Sequence, residues 1–505
     1  MTAADLAILP VLVPTLTAPL ALLAMRRHRP FGIAISVAGC LAMLAAALAL
    51  FVQAQDDAIR GYALGDWPAP FGIVLVVDRL SAIMLLVAAL LACLVMAHAV
   101  LTGLDRKGWH FHPLFHFQFL GLNGAFLTGD LFNLFVFFEV LLIASYGLML
   151  HGQGPARLKA GVAYVVVNIV GSSLFLIALA MLYSLTGTLN MADMAARVAA
   201  VPTGDGGLLR AAGLLLVAVF AIKAAVVPLH LWLPRTYAAT SPAIAALFAI
   251  MTKLGVYAII RVVPLVFGAQ AGIAAWVPSP WLTPAAILTA AIGFGGVLAA
   301  RGLREQAAFA IVGSTGTLLL AVTAWSEAAM TAALFYLVHA VLAGAALFLV
   351  VDVAMRRRGE YGDAAVPTPR FAGQDALAAL FMLAAIAAVG LPPLSGFIGK
   401  IFILQTVVGA GRWAIWATIL LTTLAGVIGF ARMGSALFWK LPGDPAAPLH
   451  ATGRSRTDLI APAAALALIA ALTACAGWAT AQTGAAAAQI LAPDRYITAI
   501  LGGDR

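Results

Sequence analysis

TGDLFNLFVFFEVLLIASYGLML, residues 128–150, is an apolar run long enough to cross a bilayer, and beyond Asp130 at its start it carries a single acid, Glu139, in its middle. About 20 residues at 1.5 Å rise span the ~30 Å hydrocarbon core. A charge at the centre of such a helix costs roughly 2.5–3.5 kcal/mol on even a lenient scale. The stretch therefore reads as a membrane helix holding a carboxylate that demands a partner and a purpose.

The rest of the chain supports that reading. Of 505 residues, 63% are hydrophobic and only 10% charged, and the mean hydropathy is +1.04, which excludes an ordinary soluble domain. The formal charge of +9 sits in short clusters between apolar runs, where it sets topology rather than binding nucleic acid. Cys40, Cys93 and Cys475 are scattered through apolar runs with no CxxC pair, so neither a disulfide framework nor a zinc or iron–sulfur centre is expected. His110, His112 and His116 lack a neighbouring acid or cysteine that would complete a metal site, and no metal or other cofactor is expected.

Spans are predicted near 6–24, 31–53, 74–101, 111–127, 130–150, 160–185 and 208–233, then 242–267, 279–300, 307–323, 328–353, 374–409, 412–439 and 457–481. The first follows Asp5 rather than a basic segment and is expected to be a retained helix. The positive-inside rule checks the count of fourteen. Loops after odd-numbered spans hold seventeen Lys and Arg residues, including Arg26, Arg27, Arg106, Lys107, Arg157, Arg356 and Arg454, whereas the even-numbered loops and the C-terminal tail hold six, Arg60, Arg197, Arg210, Arg412, Arg495 and Arg505. Both termini are thereby expected on the non-cytoplasmic side. Arg79, Arg261 and Arg432 fall near span ends and read as snorkelling side chains, with Asp78 a local partner for Arg79.

The fold class is thus an all-α polytopic membrane protein of about fourteen transmembrane helices. Spans four to eight and nine to thirteen read as two inverted five-helix repeats, the usual transporter plan, whose fourth members, spans 7 and 12, are broken by proline. The breaks are Pro228 in AIKAAVVPLHLWLP and Pro392 with Pro393 in VGLPPLSG; each proline removes a backbone donor, and the freed carbonyls need water, ions or side chains. A plain proline kink is the alternative. The corresponding divisions are 1–110, 111–267, 268–440 and 441–505.

Only six lysines occur, and three of them, Lys223, Lys253 and Lys400, lie in apolar spans. Arginine stays charged under any relevant condition, whereas a buried lysine can release its proton, so the choice of residue favours a proton relay. Lys223 is expected to form an ion pair with Glu139, either a switchable valve or a fixed structural bridge. Lys253 is placed to receive the proton, His339 in LFYLVHAVLAG adds an imidazole that titrates near neutrality, and Lys400 continues the line. His230, beside the first break, reads equally as an accessory relay member or as a cap for free carbonyls.

These residues lie in strings that resemble the antiporter-like subunits of respiratory complex I and of the multisubunit Mrp (Pha, Mnh) cation/proton antiporters. TGDLFNLFVFFEVLLIASYGLML, GTLNMADMA at 187–195, IKAAVVPLHLWLP at 222–234 and SPAIAALFAIMTKLGVYAIIR at 241–261 are most similar to the D-type subunit of the Mrp antiporters, and LFYLVHAVLAGAALFLVVD and GLPPLSGFIGK extend the likeness over roughly 110 to 440. Complex I relatives often carry a double histidine followed by a lysine where this chain has His339 and Gly344. The resemblance implies that Glu139, Lys223, Lys253 and Lys400 are the family's ionisable residues of helices five, seven, eight and twelve. It also implies assembly with other membrane subunits in a bacterial inner membrane and exchange of Na⁺ or K⁺ for protons without bond-making catalysis. A proton-pumping subunit of complex I or of a membrane-bound hydrogenase is the alternative. Which cation is carried, the stoichiometry, the subunit it crosses and the order of proton transfer are not encoded in any motif.

Overall fold

In the computed structural model, residues 5–502 are described apart from 408, 410 and 441–455, so the basic-loop residue Arg454 and the terminal Arg505 lie outside the described residues. Among the described residues nineteen helices follow one another: α1 (Leu9–Arg27), α2 (Arg29–Gln53), α3 (Arg79–Thr102), α4 (Phe111–Leu127), α5 (Leu131–Leu150), α6 (Pro155–Thr186), α7 (Met191–Val198), α8 (Gly206–Lys223), α9 (Trp232–Ala239) and α10 (Pro242–Val266). Then come α11 (Ser279–Ala299), α12 (Leu303–Val322), α13 (Glu327–Arg358), α14 (Gln374–Val389), α15 (Ser395–Thr406), α16 (Arg412–Gly434), α17 (Ile460–Ala474), α18 (Ala476–Ile490) and α19 (Pro493–Leu501).

Among the described residues, twelve helices are long and apolar enough to cross a membrane. The two remaining expected spans fall on α4, which has 17 residues, and on the broken pair α14 and α15. Span three is shorter than expected. Val74–Val77 is a strand, β2, paired antiparallel with β1 (Arg60–Ala63) so that Arg60 stands opposite Val77. Asp78 ends the strand and starts α3, accepting from the Ser81 amide while Ser81 Oγ accepts from the Asp78 amide.

Helix α10 is buried along its whole length, and α13 and α12 nearly so, whereas fewer than half the residues of α1, α6, α11 and α16 are buried. The centre of the molecule is therefore the α10–α12–α13 group, and glycine sets how closely it packs. A Cβ at Gly255 of α10 would lie 2.6 Å from the Ala224 amide nitrogen and 2.8 Å from the Phe220 carbonyl at the end of α8, so the two backbones touch there. Gly293 on α11 and Gly313 on α12 meet in the same way. In a lipid solvent, where apolar burial gives helices little reason to associate, such small-residue contacts supply the packing.

Two arginines read as interfacial are not. Arg261 is only 7% exposed and grips the Asp78 carboxylate with both terminal nitrogens, at 2.5 and 2.8 Å, between the Tyr257 and Tyr496 rings. Arg79 turns instead to Asp57 and the Gln482 side-chain carbonyl. The local pair expected from adjacency loses because Asp78 faces α10, where a bidentate guanidinium satisfies both carboxylate oxygens. Removing one partner of such a pair strands the other. Arg261→Leu is expected to cost about 3–5 kcal/mol, read as a clear fall in Tm in detergent; a parental Tm would show that the pair is dispensable.

Candidate functional site

Lys253 lies at the middle of α10 and is fully buried. Its ammonium donates to Ser314 Oγ at 2.8 Å and Thr315 Oγ1 at 3.2 Å, two hydroxyls on consecutive residues of α12. No carboxylate lies within 4 Å of it among the described ion pairs. The amine is held by neutral acceptors alone, which satisfies its donors without fixing its charge.

The same holds for Lys223 at the end of α8. It is 5% exposed and donates to Asn168 Oδ1 at 3.2 Å. The direct Glu139–Lys223 ion pair expected from the sequence is absent: Glu139 instead accepts a short hydrogen bond from Ser172 Oγ. The reason is α6, which runs between the two and presents Tyr164, Asn168 and Ser172 at intervals of four residues along one face. Ser172 serves the carboxylate, Asn168 serves the ammonium one turn away, and Tyr164 bonds Ser145 at 2.8 Å and stacks on Trp232. These α6 residues escaped the sequence reading because none is ionisable, although polar residues at i, i+4 and i+8 in an apolar helix were a visible signal. Glu139 is also not fully enclosed. It is half-buried on the face of α5 that carries the exposed Phe132, Val136 and Ile143.

Both expected breaks are present, and side chains take up what they free. After α8 the chain unwinds until α9 begins; the Val227 amide donates to Thr289 Oγ1 of α11, Trp232 Nε1 donates to the Ile222 carbonyl, and the buried His230 ring lies against the Pro228 carbonyl, which favours its capping role. Between α14 and α15, Pro393 deprives the Val389 carbonyl of its helical donor. Lys400 replaces that donor at 2.7 Å and reaches Thr423 Oγ1 on α16 at 2.6 Å. His339 of α13 straddles the same break, one ring nitrogen 2.9 Å from Ser395 Oγ and the other 3.0 Å from the Ala387 carbonyl.

The groups form a file. Lys223 and Lys253 stand on helices whose backbones touch at Gly255. Ser314, the partner of Lys253, and His339 line one cavity of about 10 Å³ together with Tyr336 and Gly344, about the space of a single water. His339 and Lys400 then meet opposite sides of the second break. Glycine keeps this end open: a Cβ at Gly396 would lie 2.5 Å from His339 Nε2. Gly396→Ala should push the imidazole off Ala387 and destabilise the protein by about 1–3 kcal/mol, seen as a lower Tm; an unchanged Tm would mean that the break relaxes freely.

A polytopic helical bundle with an internal file of amines and an imidazole, bridged by hydroxyls, amides and two unwound segments, defines a membrane protein built to handle ions or protons at its midplane. Residues 128–426 match the family described as NADH:quinone oxidoreductase/Mrp antiporter, transmembrane, and the chain belongs to that family. It is 41% identical over 473 residues to the D-type subunit of a probable K⁺/H⁺ antiporter of Rhizobium meliloti (strain 1021), covering 86% of this chain and 87% of that one. It is 34% identical to the D-type subunit of a Na⁺/H⁺ antiporter of Bacillus subtilis (strain 168), covering 98% and 99%. A chain of the solved Mrp complex from Dietzia sp. DQ12-45-1b superposes with a TM-score of 0.86 at 31% identity, over 99% of this chain and all of that one.

Proposed function

We propose that this protein is the D-type member of a multisubunit monovalent cation/proton antiporter, a secondary transporter that passes protons along Glu139, Lys223, Lys253, His339 and Lys400 while Na⁺ or K⁺ moves the other way. The observation that carries the reading is the bonding of Lys223 and Lys253 to neutral partners. An amine paired with a carboxylate is locked as a cation, whereas one held by Asn168, or by Ser314 and Thr315, can lose and regain a proton with its acceptors still in place. The D-type relatives share 34–41% of their aligned residues with this chain, which favours this reading over a subunit that serves a redox enzyme. By the same resemblance the protein works beside other membrane subunits in a bacterial inner membrane, with the basic loops facing the cytoplasm.

Charge movement near Glu139 provides the coupling. With Glu139 ionised, the Lys223 ammonium is attracted across the α6 stripe; arrival of a proton or a cation at the carboxylate weakens that attraction and favours transfer of the Lys223 proton towards Lys253. From there Ser314 and a water in the small cavity lead to His339, and the second break leads on to Lys400. Asn168 and Ser172 are positioning residues in this scheme.

The test is cation-driven proton movement in vesicles holding the whole complex. Lys253→Ala and Glu139→Ala should each lower the rate by about 10²-fold or more. Lys253→Arg should be as inactive as Lys253→Ala, since arginine keeps the charge but cannot release its proton; native-like rates in these variants would leave a passive scaffold. Gly344→Ala, whose Cβ would lie 2.5 Å from Ile311 Cδ1 and crowd the cavity beside Ser314, should slow transport as well as lower the Tm, and a native rate would place the proton path elsewhere.

A further inference from the structure

The lysine file accounts for only part of the buried titratable groups. A second cluster lies where the α1–α2 loop meets the α3–α4 turn. A cavity of about 220 Å³ opens there, lined by Met25, Arg29, Asp105, Arg106, Trp109 and His112. Asp105, the single acid among these residues, is 5% exposed. Its Oδ2 accepts from Arg29 at 2.7 Å and lies 3.5 Å from His112 Nε2, while its Oδ1 is buried without a partner. His112, 1% exposed, has an unpartnered Nδ1.

One turn further along α4, on the same face, stands His116, fully buried, with Nε2 2.9 Å from Ser36 Oγ of α2 and Nδ1 again without a partner. Seven residues beyond it, Asn123 donates to the Pro10 carbonyl at 2.8 Å, which Pro14 has deprived of its helical donor. This face of α4 thus carries three polar side chains over about 16 Å, roughly half the hydrocarbon core, with Phe119 between His116 and Asn123. A structural tie between two loops needs Arg29 and Asp105; it does not need two histidines one turn apart, each with a buried ring nitrogen that lacks a partner.

We propose that Asp105, His112 and His116 form a proton-uptake site on the side of the basic loops, entered through this cavity and separate from the lysine file. In the tautomer that places the Nε2 proton towards Asp105, His112 takes an incoming proton on Nδ1 and becomes an imidazolium beside a carboxylate; giving up either nitrogen's proton returns it to neutral, and His116 Nδ1 is the next acceptor. Asp105 suits this role. Burial alone would raise its pKa, but the hydrogen bonds from His112 and Arg29 and their charges outweigh it and hold the carboxyl below its usual range, so it stays an anion that stabilises the imidazolium. The other charged or titratable groups around His112 are Arg29 on α2, Arg106 and Lys107 in the turn, His116 on α4 and His151 after α5.

The inference rests on the proton-transport reading, and the experiment separates the two. Proton uptake from the basic-loop side is measured in vesicles holding the whole complex, across pH, for His112→Ala, Asp105→Asn and, in parallel, Lys253→Ala. His112→Ala should slow uptake by roughly tenfold at alkaline pH, where protons are scarce, and little at acid pH. Imidazole added to the bath fits the emptied cavity and should restore the rate, whereas pyrrole, of the same shape but without a basic nitrogen, should not. Asp105→Asn should give the same pH-selective loss without rescue. A native rate for His112→Ala at alkaline pH, or a loss equal at all pH values that imidazole leaves unchanged, overturns the uptake site; transport by Lys253→Ala would instead overturn the proton-relay reading itself.

Discussion

An ammonium group inside a membrane needs hydrogen-bond acceptors, yet a carboxylate acceptor strengthens its hold on its proton. Much of this structure follows from that conflict. Lys223, Lys253 and Lys400 are each buried, and each is held by neutral oxygen: an amide, two hydroxyls, and a hydroxyl with a freed main-chain carbonyl. Supplying those acceptors dictates the polar stripe on α6, the consecutive Ser314 and Thr315 on α12, and the unwinding between α14 and α15. Supplying them at the right distance dictates the glycines that let α8, α10, α11 and α12 approach backbone to backbone. Carboxylates with arginine partners, such as Asp78 with Arg261, are found away from the file, where permanence is wanted.

The two breaks solve the same conflict in different ways. At the first, the indole of Trp232 and the hydroxyl of Thr289 close off unwound backbone from neighbouring elements, leaving the Lys223 amine free to bond to α6. At the second, the lysine itself is the closing group, since Lys400 takes the carbonyl that Pro393 orphans. Loss of the Lys400 proton would therefore weaken local structure as well as change local charge. That couples backbone geometry to protonation at one end of the file and not at the other.

Much of this was legible in the chain itself. Hydropathy located the twelve long apolar helices, because lipid leaves helices no other way to satisfy their main chain. The ionisable residues stood out because charge is so rare in this composition. What escaped was partnership. Adjacency suggested Asp78 with Arg79, and shared depth suggested Glu139 with Lys223; the structure joins Asp78 to Arg261 and puts α6 between the other two. Both misreadings have one cause: contact across a bundle depends on helix rotation, which a single sequence encodes only through the polar face of each helix. The stripe of Tyr164, Asn168 and Ser172 was such a face, overlooked because its members carry no charge. The strand Val74–Val77 was absorbed into a helix because four apolar residues before a helix have no periodicity of their own.

Glu139 sits where α5 turns outward among Phe132, Val136 and Ile143, only half-covered by its own chain. A polypeptide that must show a carboxylate to lipid on one flank is chemically unfinished when alone. A bilayer penalises a carboxylate left uncovered at that depth, so a surface that covers Glu139 lowers the free energy of the whole protein.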